Sequence, residues 1–256
     1  VLKCNIFVST RRRQMERALM NQKIEIIYED QDLLVCRKPP GIPVQTAKLA
    51  QLDMESLLRN YFMEKGEEKL QVFVVHRLDQ PVERVMVFAR NQRAAAELSR
   101  QSRERQMDKT YLALVEGIFT EPFGVLENYL LHDRKTNSSR VVTQGTPGAK
   151  HAKLTYETEN VYKGQDISLV RVQLLTGRHH QIRVQMAYAG HPLAGDRKYN
   201  AGSYREASIG LCAVKIAFVH PITGESMEFA VEPQGQAFQS FLLVSEAISK
   251  GLETRI

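Results

Sequence analysis

Short apolar runs of strand length recur from Ile24 to Val231, most of them closed within a few residues by Gly, Pro, Asn or Asp. Such runs read as strands joined by tight turns. Ile24–Tyr28 and Leu33–Cys36 flank the turn Glu29-Asp30-Gln31, and Lys38-Pro39-Pro40-Gly41 ends the second strand, because proline has no donor for a ladder. Further strands are expected at Gln71–Val75, Val85–Ala89, Thr110–Glu116, Lys153–Glu157, Ser168–Leu175, Leu211–His220 and Ser226–Val231. Helical spacing appears in Met54–Lys65, with Leu57, Leu58, Tyr61 and Phe62 on one face, in Gln92–Gln106, in His180–Ala189 and around Ala237–Ile248. Strands outnumber helices and short turns join them. The pattern predicts an α+β fold, with a mixed, largely antiparallel central sheet and flanking helices and loops. Asp133–Ala149 is polar and turn-rich, carries Arg134, Lys135 and Arg140, and reads as an exposed loop able to touch phosphates.

The 256 residues, 43% hydrophobic and 25% charged, suffice for one well-filled core. With no repeat and no Pro/Gly-rich linker, one domain over residues 24–250 is expected behind an N-terminal extension, 1–23, that includes Arg11-Arg12-Arg13. A formal net charge of +6 fits a polyanionic partner. Cys4, Cys36 and Cys212 are far apart and form no Cys-x-x-Cys, so the expectation is reduced thiols and a cytoplasmic protein. Apolar runs fall short of the ~18 residues of a membrane span.

Two segments cluster polar residues where a strand ends. In Val75-His76-Arg77-Leu78-Asp79-Gln80-Pro81 an apolar strand delivers His, Arg and Asp into a turn fixed by proline; by itself Asp79 reads as a turn residue bonding its own backbone. In Gly177-Arg178-His179-His180-Gln181-Ile182-Arg183 two Arg, two His and a Gln open a helix whose apolar face is Ile182, Met186 and Ala189, with Arg183 at the edge of that stripe. A metal site at His179, His180 and His191 is disfavoured. Adjacent histidines on a helix diverge, Arg178 and Arg183 repel a cation, and neither Cys nor carboxylate stands at ligand spacing. Neither a Gly-x-Ser-x-Gly elbow nor a phosphate loop is present.

Together these segments resemble the two signatures of the RluA-type pseudouridine synthases. Ile27-Tyr28-Glu29-Asp30 to Lys38-Pro39-Pro40-Gly41, Lys109-Thr110-Tyr111 to Glu116-Gly117, Gly190-His191-Pro192, Gly195-Asp196 to Tyr199, and Phe218-Val219-His220-Pro221 match further family motifs in order, over roughly residues 24–235. The resemblance implies isomerisation of uridine to pseudouridine in structured ribosomal or transfer RNA, without cofactor or metal; a monomer is expected. Asp79 matches the catalytic carboxylate, whether it attacks the sugar or takes a proton from it. Arg183 matches the arginine that pairs with it, favouring the ionised form and able to bond bidentately. Tyr111 matches the active-site tyrosine, placed to stack on uracil and to help remove the C5 proton. Arg77 matches the residue that fills the gap left by a flipped nucleotide, and His76, Arg178, His180 and Gln181 are assigned to substrate positioning. The match departs after Asp79, where the family usually runs x-x-Thr-Ser-Gly and this chain has Gln80-Pro81-Val82-Glu83-Arg84. Arg84 in place of Gly is expected to resist a positive φ or close packing there, and to pair with Glu83 or reach RNA. That departure motivates an alternative, an RNA-binding protein of the same fold with impaired catalysis.

Overall fold

Val, Leu, Phe and Met occupy successive positions of the central strands, as expected of strands covered on both faces. The computed structural model describes residues 24–46, 51–67, 71–76, 79–119, 121–202 and 208–241. Its strands are β1 (Ile26–Glu29), β2 (Leu33–Lys38), β3 (Phe73–Val74), β4 (Glu83–Ala89), β5 (Asp108–Glu116), β6 (Phe123–Asp133), β7 (Ser138–Val142), β8 (Lys150–Tyr162), β9 (Ile167–Leu174), β10 (Leu211–Val219) and β11 (Ser226–Ala230). The helices are α1 (Met54–Glu64), α2 (Gln92–Arg103) and α3 (Gln181–Tyr188), and residues 236–241 are helical. The strands form one sheet in the order β1-β2-β4-β10-β5-β9-β8-β6-β7, with β3 beside β4 and β11 beside β10. Among the described residues only the β4–β10 pair is parallel. The mixed, largely antiparallel α+β architecture expected from the sequence is the one observed.

One half of the sheet is sandwiched between two helices. Val85 and Val87 of β4, with Leu33 and Val35 of β2, meet Ala94 and Leu98 of α2. Met86 and Phe88, with Leu34 and Cys36, meet Leu57, Leu58 and Phe62 of α1. Each helix starts on a side-chain cap: Asp53 accepts from Ser56 N at 2.8 Å, and Asn91 from Ala94 N at 2.9 Å. In the other half Tyr111 and Ala113 of β5 and Val170 and Val172 of β9 pack on Ile182 and Met186 of α3. Leu114, Cys212 and Val214 turn the opposite way, onto Phe238 and Phe241. The halves join at the parallel pair. There Lys38, Arg84, Ala213 and Tyr111 stand opposite one another across β2, β4, β10 and β5, and so share one face.

Asp133–Ala149 is a loop only in part, at 134–137 and 143–149. It contributes the end of β6, the turn 134–137 and all of β7, a hairpin in which Leu131 faces Arg140 and His132 faces Ser139. The edge strand β7 has a partner on one side only and polar residues such as Ser138, Ser139 and Arg140, so no alternation of apolar residues betrays it. The expected extension 1–23 and Arg77 lie outside the described residues, and the helix expected around Ala237–Ile248 is described only to residue 241.

Candidate active site

Asp79 sits in a turn closed by Val82 N donating to Asp79 O at 3.2 Å. Two devices hold this turn against the end of β2. Gly41 N donates to Gln80 O at 3.1 Å, and Gln80 Nε2 returns a bond to Gly41 O at 2.8 Å. Beneath them the Lys38 ammonium, wholly buried, donates to the carbonyls of Pro39, Gln80 and Val82 at 3.0, 3.0 and 2.9 Å. Val82 then plugs the turn into the core under α3. The Asp79 carboxylate is left 17% exposed, facing α3.

On α3 the guanidinium of Arg183 bridges two carboxylates. Its Nε and Nη2 grip Asp196 at 2.8 and 2.7 Å, and Nη1 donates to Asp79 Oδ2 at 3.1 Å. The fork expected for Asp79 therefore belongs to Asp196, whose side chain is fully buried, and Asp79 receives a single bond. Burial opposes the Arg183 charge, but Asp196 and then Asp79 outweigh it, so its pKa is raised. Asp196 also accepts from the backbone of Lys198 and Tyr199, which fixes Tyr199. The Tyr199 hydroxyl accepts from Ser139 N at 2.7 Å and lies 2.7 Å from His180 Nδ1. On the other side of the ring, His180 Nε2 lies 3.3 Å from Asp79 Oδ2. Burial, and then the neighbouring Arg183 charge, push the His180 pKa down to about 2, so a neutral imidazole faces Asp79. Asp196 and Tyr199 carried no assigned role in the sequence; their only signal was membership of the Gly195-Asp196 to Tyr199 motif.

Tyr111 is buried on the shared face, and its phenol is raised by burial, with Arg84 opposing and Asp79 reinforcing the shift. Arg84 neither pairs with Glu83 nor reaches the surface. Glu83 takes Arg37 at 2.9 Å and the backbone of Gln234 and Gly235 instead. Arg84 has ordinary strand backbone in β4, faces the small side chain of Ala213, and is 1% exposed with Nη2 on His76 Nδ1. Its Nη1 has no hydrogen-bond partner among the described residues. Burial, with no carboxylate bonded to it, pushes its pKa down to about 10, and its charge helps depress Lys38 to about 7 and Lys109 to about 8, both chiefly through their own burial. His76 is thus buried beneath the site, held by Arg84 and by Val87 N at 3.3 Å, where a substrate contact was expected.

Gln181 and Arg178 line the cleft but serve the protein as well: Gln181 Oε1 accepts from Thr176 Oγ1 and Arg178 N, and Arg178 Nε donates to His151 O at 2.7 Å. His179 and His180 do not diverge, because both precede α3. His180 has φ 55° at its N-cap, and the two rings stack at 3.8 Å. One ligand atom each from Asp79, His179 and His180 lie within 4.8 Å of one another, with Arg183 already on the Asp79 oxygen. The cleft over Asp79 has a volume of about 1320 Å³ and runs from Pro43–Thr46 to Lys109, Asn137 and Lys198. That exceeds the ~300–1,000 Å³ of a typical small-molecule pocket.

The family model described as RNA pseudouridylate synthase matches residues 32–188. An uncharacterized RNA pseudouridine synthase of Bacillus subtilis, YhcT, is 34% identical over 79% of this chain and 66% of its own length. Ribosomal large subunit pseudouridine synthase C of Salmonella typhimurium is 34% identical over 86% of this chain and 69% of its own. The chain thus spans about two thirds of the length of these relatives. Among solved structures, human RNA Pseudouridylate Synthase Domain Containing 1 superposes with a TM-score of 0.69 over 82% of this chain and 83% of that one, at 24% identity, a likeness of fold. With its model match spanning more than half of the residues, the chain belongs to the RNA pseudouridylate synthase family.

Proposed function

We propose that this chain isomerises specific uridines to pseudouridine in structured RNA, ribosomal or transfer, with Asp79 as the acting carboxylate. One observation carries the reading: a partly exposed carboxylate at the floor of a large cleft, bonded by Arg183, faced by a neutral His180, and near enough to Tyr111 to act on its phenol. The likeness to ribosomal large subunit pseudouridine synthases of other organisms supports the choice of substrate class. The target nucleotide leaves its stack at a cost of a few kcal/mol and enters the cleft. Its glycosidic bond breaks, the uracil turns, and C5 bonds to the sugar. Asp79 serves either by attack on the sugar or by taking a proton from it. Tyr111 stacks on the uracil and relays the C5 proton, its phenol accepting that proton as it passes its own to Asp79. Arg178 and Gln181 orient the substrate, and Arg77 occupies the gap in the helix. The protein is taken to act as a cytoplasmic monomer.

Release of tritium from RNA labelled at uridine C5 tests this reading. The wild type should release it and Asp79→Asn should not. No release from any cellular RNA would leave the alternative, an RNA-binding protein without turnover. Equal release from both proteins would remove Asp79 from the chemistry.

A further inference from the structure

Three imidazoles form a column that begins at the site carboxylate and ends in solvent. His180 faces Asp79 at 3.3 Å, His179 stacks on His180 at 3.8 Å with the planes 29° apart, and His132 lies on His179 at 3.9 Å and 30°. The column is held from its sides. Ser139 Oγ lies 3.0 Å from His179 Nδ1 and donates to His179 O at 2.8 Å, and Tyr199 anchors His180. Ser139 stands opposite His132 across the β6–β7 hairpin, so the hairpin itself sets His132 over His179. Lys198 ties the hairpin tip to the cleft through the carbonyls of Thr136 and Asn137 at 3.1 and 2.7 Å. His132 is exposed, and so are Arg134 and Lys135 in the hairpin turn that follows it and Lys198 beside that turn. The neighbouring acid, Asp133, is occupied by the backbone of Lys135 and Thr136.

We propose that this column is a stacking platform for an unpaired nucleobase flanking the one inserted in the cleft, with His132 as its landing face. The idea rests on the RNA reading above and adds a second contact to it. Flat π-faces spaced at van der Waals distance, continued to the surface and ringed by cations, are what single-stranded RNA takes from a protein: bases stack on the rings while phosphates track the charges. Stacking accepts any base, so the platform adds affinity and register without choosing sequence. Burial lowers the pKa of His179 as well as His180, which keeps charge repulsion out of the inner column.

The test compares two probes by fluorescence anisotropy: a short RNA carrying one uridine in an adenosine tract, and the same backbone with abasic flanking nucleotides. The wild type should bind the first more tightly. His132→Ala should weaken it by about fivefold to 150-fold, the range for one base–aromatic contact, and leave the abasic probe unchanged. His132→Tyr should restore the difference and His132→Lys should not. Equal weakening on both probes, or none on either, overturns the platform. Tritium release that persists while the two probes bind alike defeats the platform alone; absence of both RNA binding and release defeats the RNA reading with it.

Discussion

A guanidinium has five donors on a rigid fork, and the two carboxylates around Arg183 divide them unequally. Asp196 takes Nε and Nη2 out of solvent altogether, which leaves Nη1 aimed at the more open Asp79. On the proposed reading Asp196 is therefore a positioning residue: it orients the donor that touches Asp79 and, through Tyr199, anchors His180. Asp196→Asn should lower kcat for tritium release by about a hundredfold with little change in KM, and cost about 3 kcal/mol in urea unfolding by stranding a buried cation. Asp79→Asn should abolish turnover with far smaller loss of stability, because Asp79 is partly exposed and receives only one Arg183 bond. Equal stability losses in the two variants would contradict this division of labour.

At the scale of elements, the turn that carries Asp196 hangs from the edge of β5. Ala194 N donates to Leu114 O at 2.9 Å, Gly210 N to Ala194 O at 2.8 Å, and Leu114 N to Gly210 O at 2.8 Å. A Cβ at Gly210 would lie 2.8 Å from the Leu114 Cβ and 3.2 Å from its carbonyl oxygen, neither of which is a flexible chain end. Gly210→Ala should push the turn off β5, costing about 1–3 kcal/mol, and lower activity more than that loss explains, because Asp196 moves with the turn. Thermal melts beside tritium release check it; an unchanged activity would detach the turn from the site. The hairpin β6–β7 shows the opposite dependence, an element with weak local signal that exists because β8 pairs with β6 and supplies its register.

For the whole molecule, the buried cations beneath the site make folding stability depend on pH. Folded Lys38 titrates at about 7 and Lys109 at about 8, whereas the same groups exposed titrate near 10.5. Between those values the unfolded chain binds more protons, so stability rises as pH rises through this window, and the penalty for burying the ammonium groups is fully present below it. Arg84→Met removes the third cation and its orphaned donor. It should stabilise the fold by about 1–3 kcal/mol at neutral pH and shift the start of the rise to higher pH, as Lys38 and Lys109 recover proton affinity. Urea unfolding from about pH 6.5 to 9 measures both effects. A flat profile in the wild type would mean that the ammonium groups are solvated more fully than their burial indicates.

The local sequence determined most elements, the β6–β7 hairpin excepted, and the two polar segments, because strand-length apolar runs, helical spacing and proline turns act over a few residues. It also marked Asp79, Tyr111, Arg183 and the residues about them, through their motifs. What those residues touch was decided by the tertiary structure. Arg183 and Asp79 are 104 positions apart, Arg37 and Glu83 46, and Ser139 and His179 40. Such partners are chosen by strand register and by which face a residue shares, neither of which a local pattern encodes. Hence Asp196 rather than Asp79 holds the Arg183 fork, Arg84 lies in the core beside His76 rather than in reach of RNA, and two adjacent histidines stack instead of diverging.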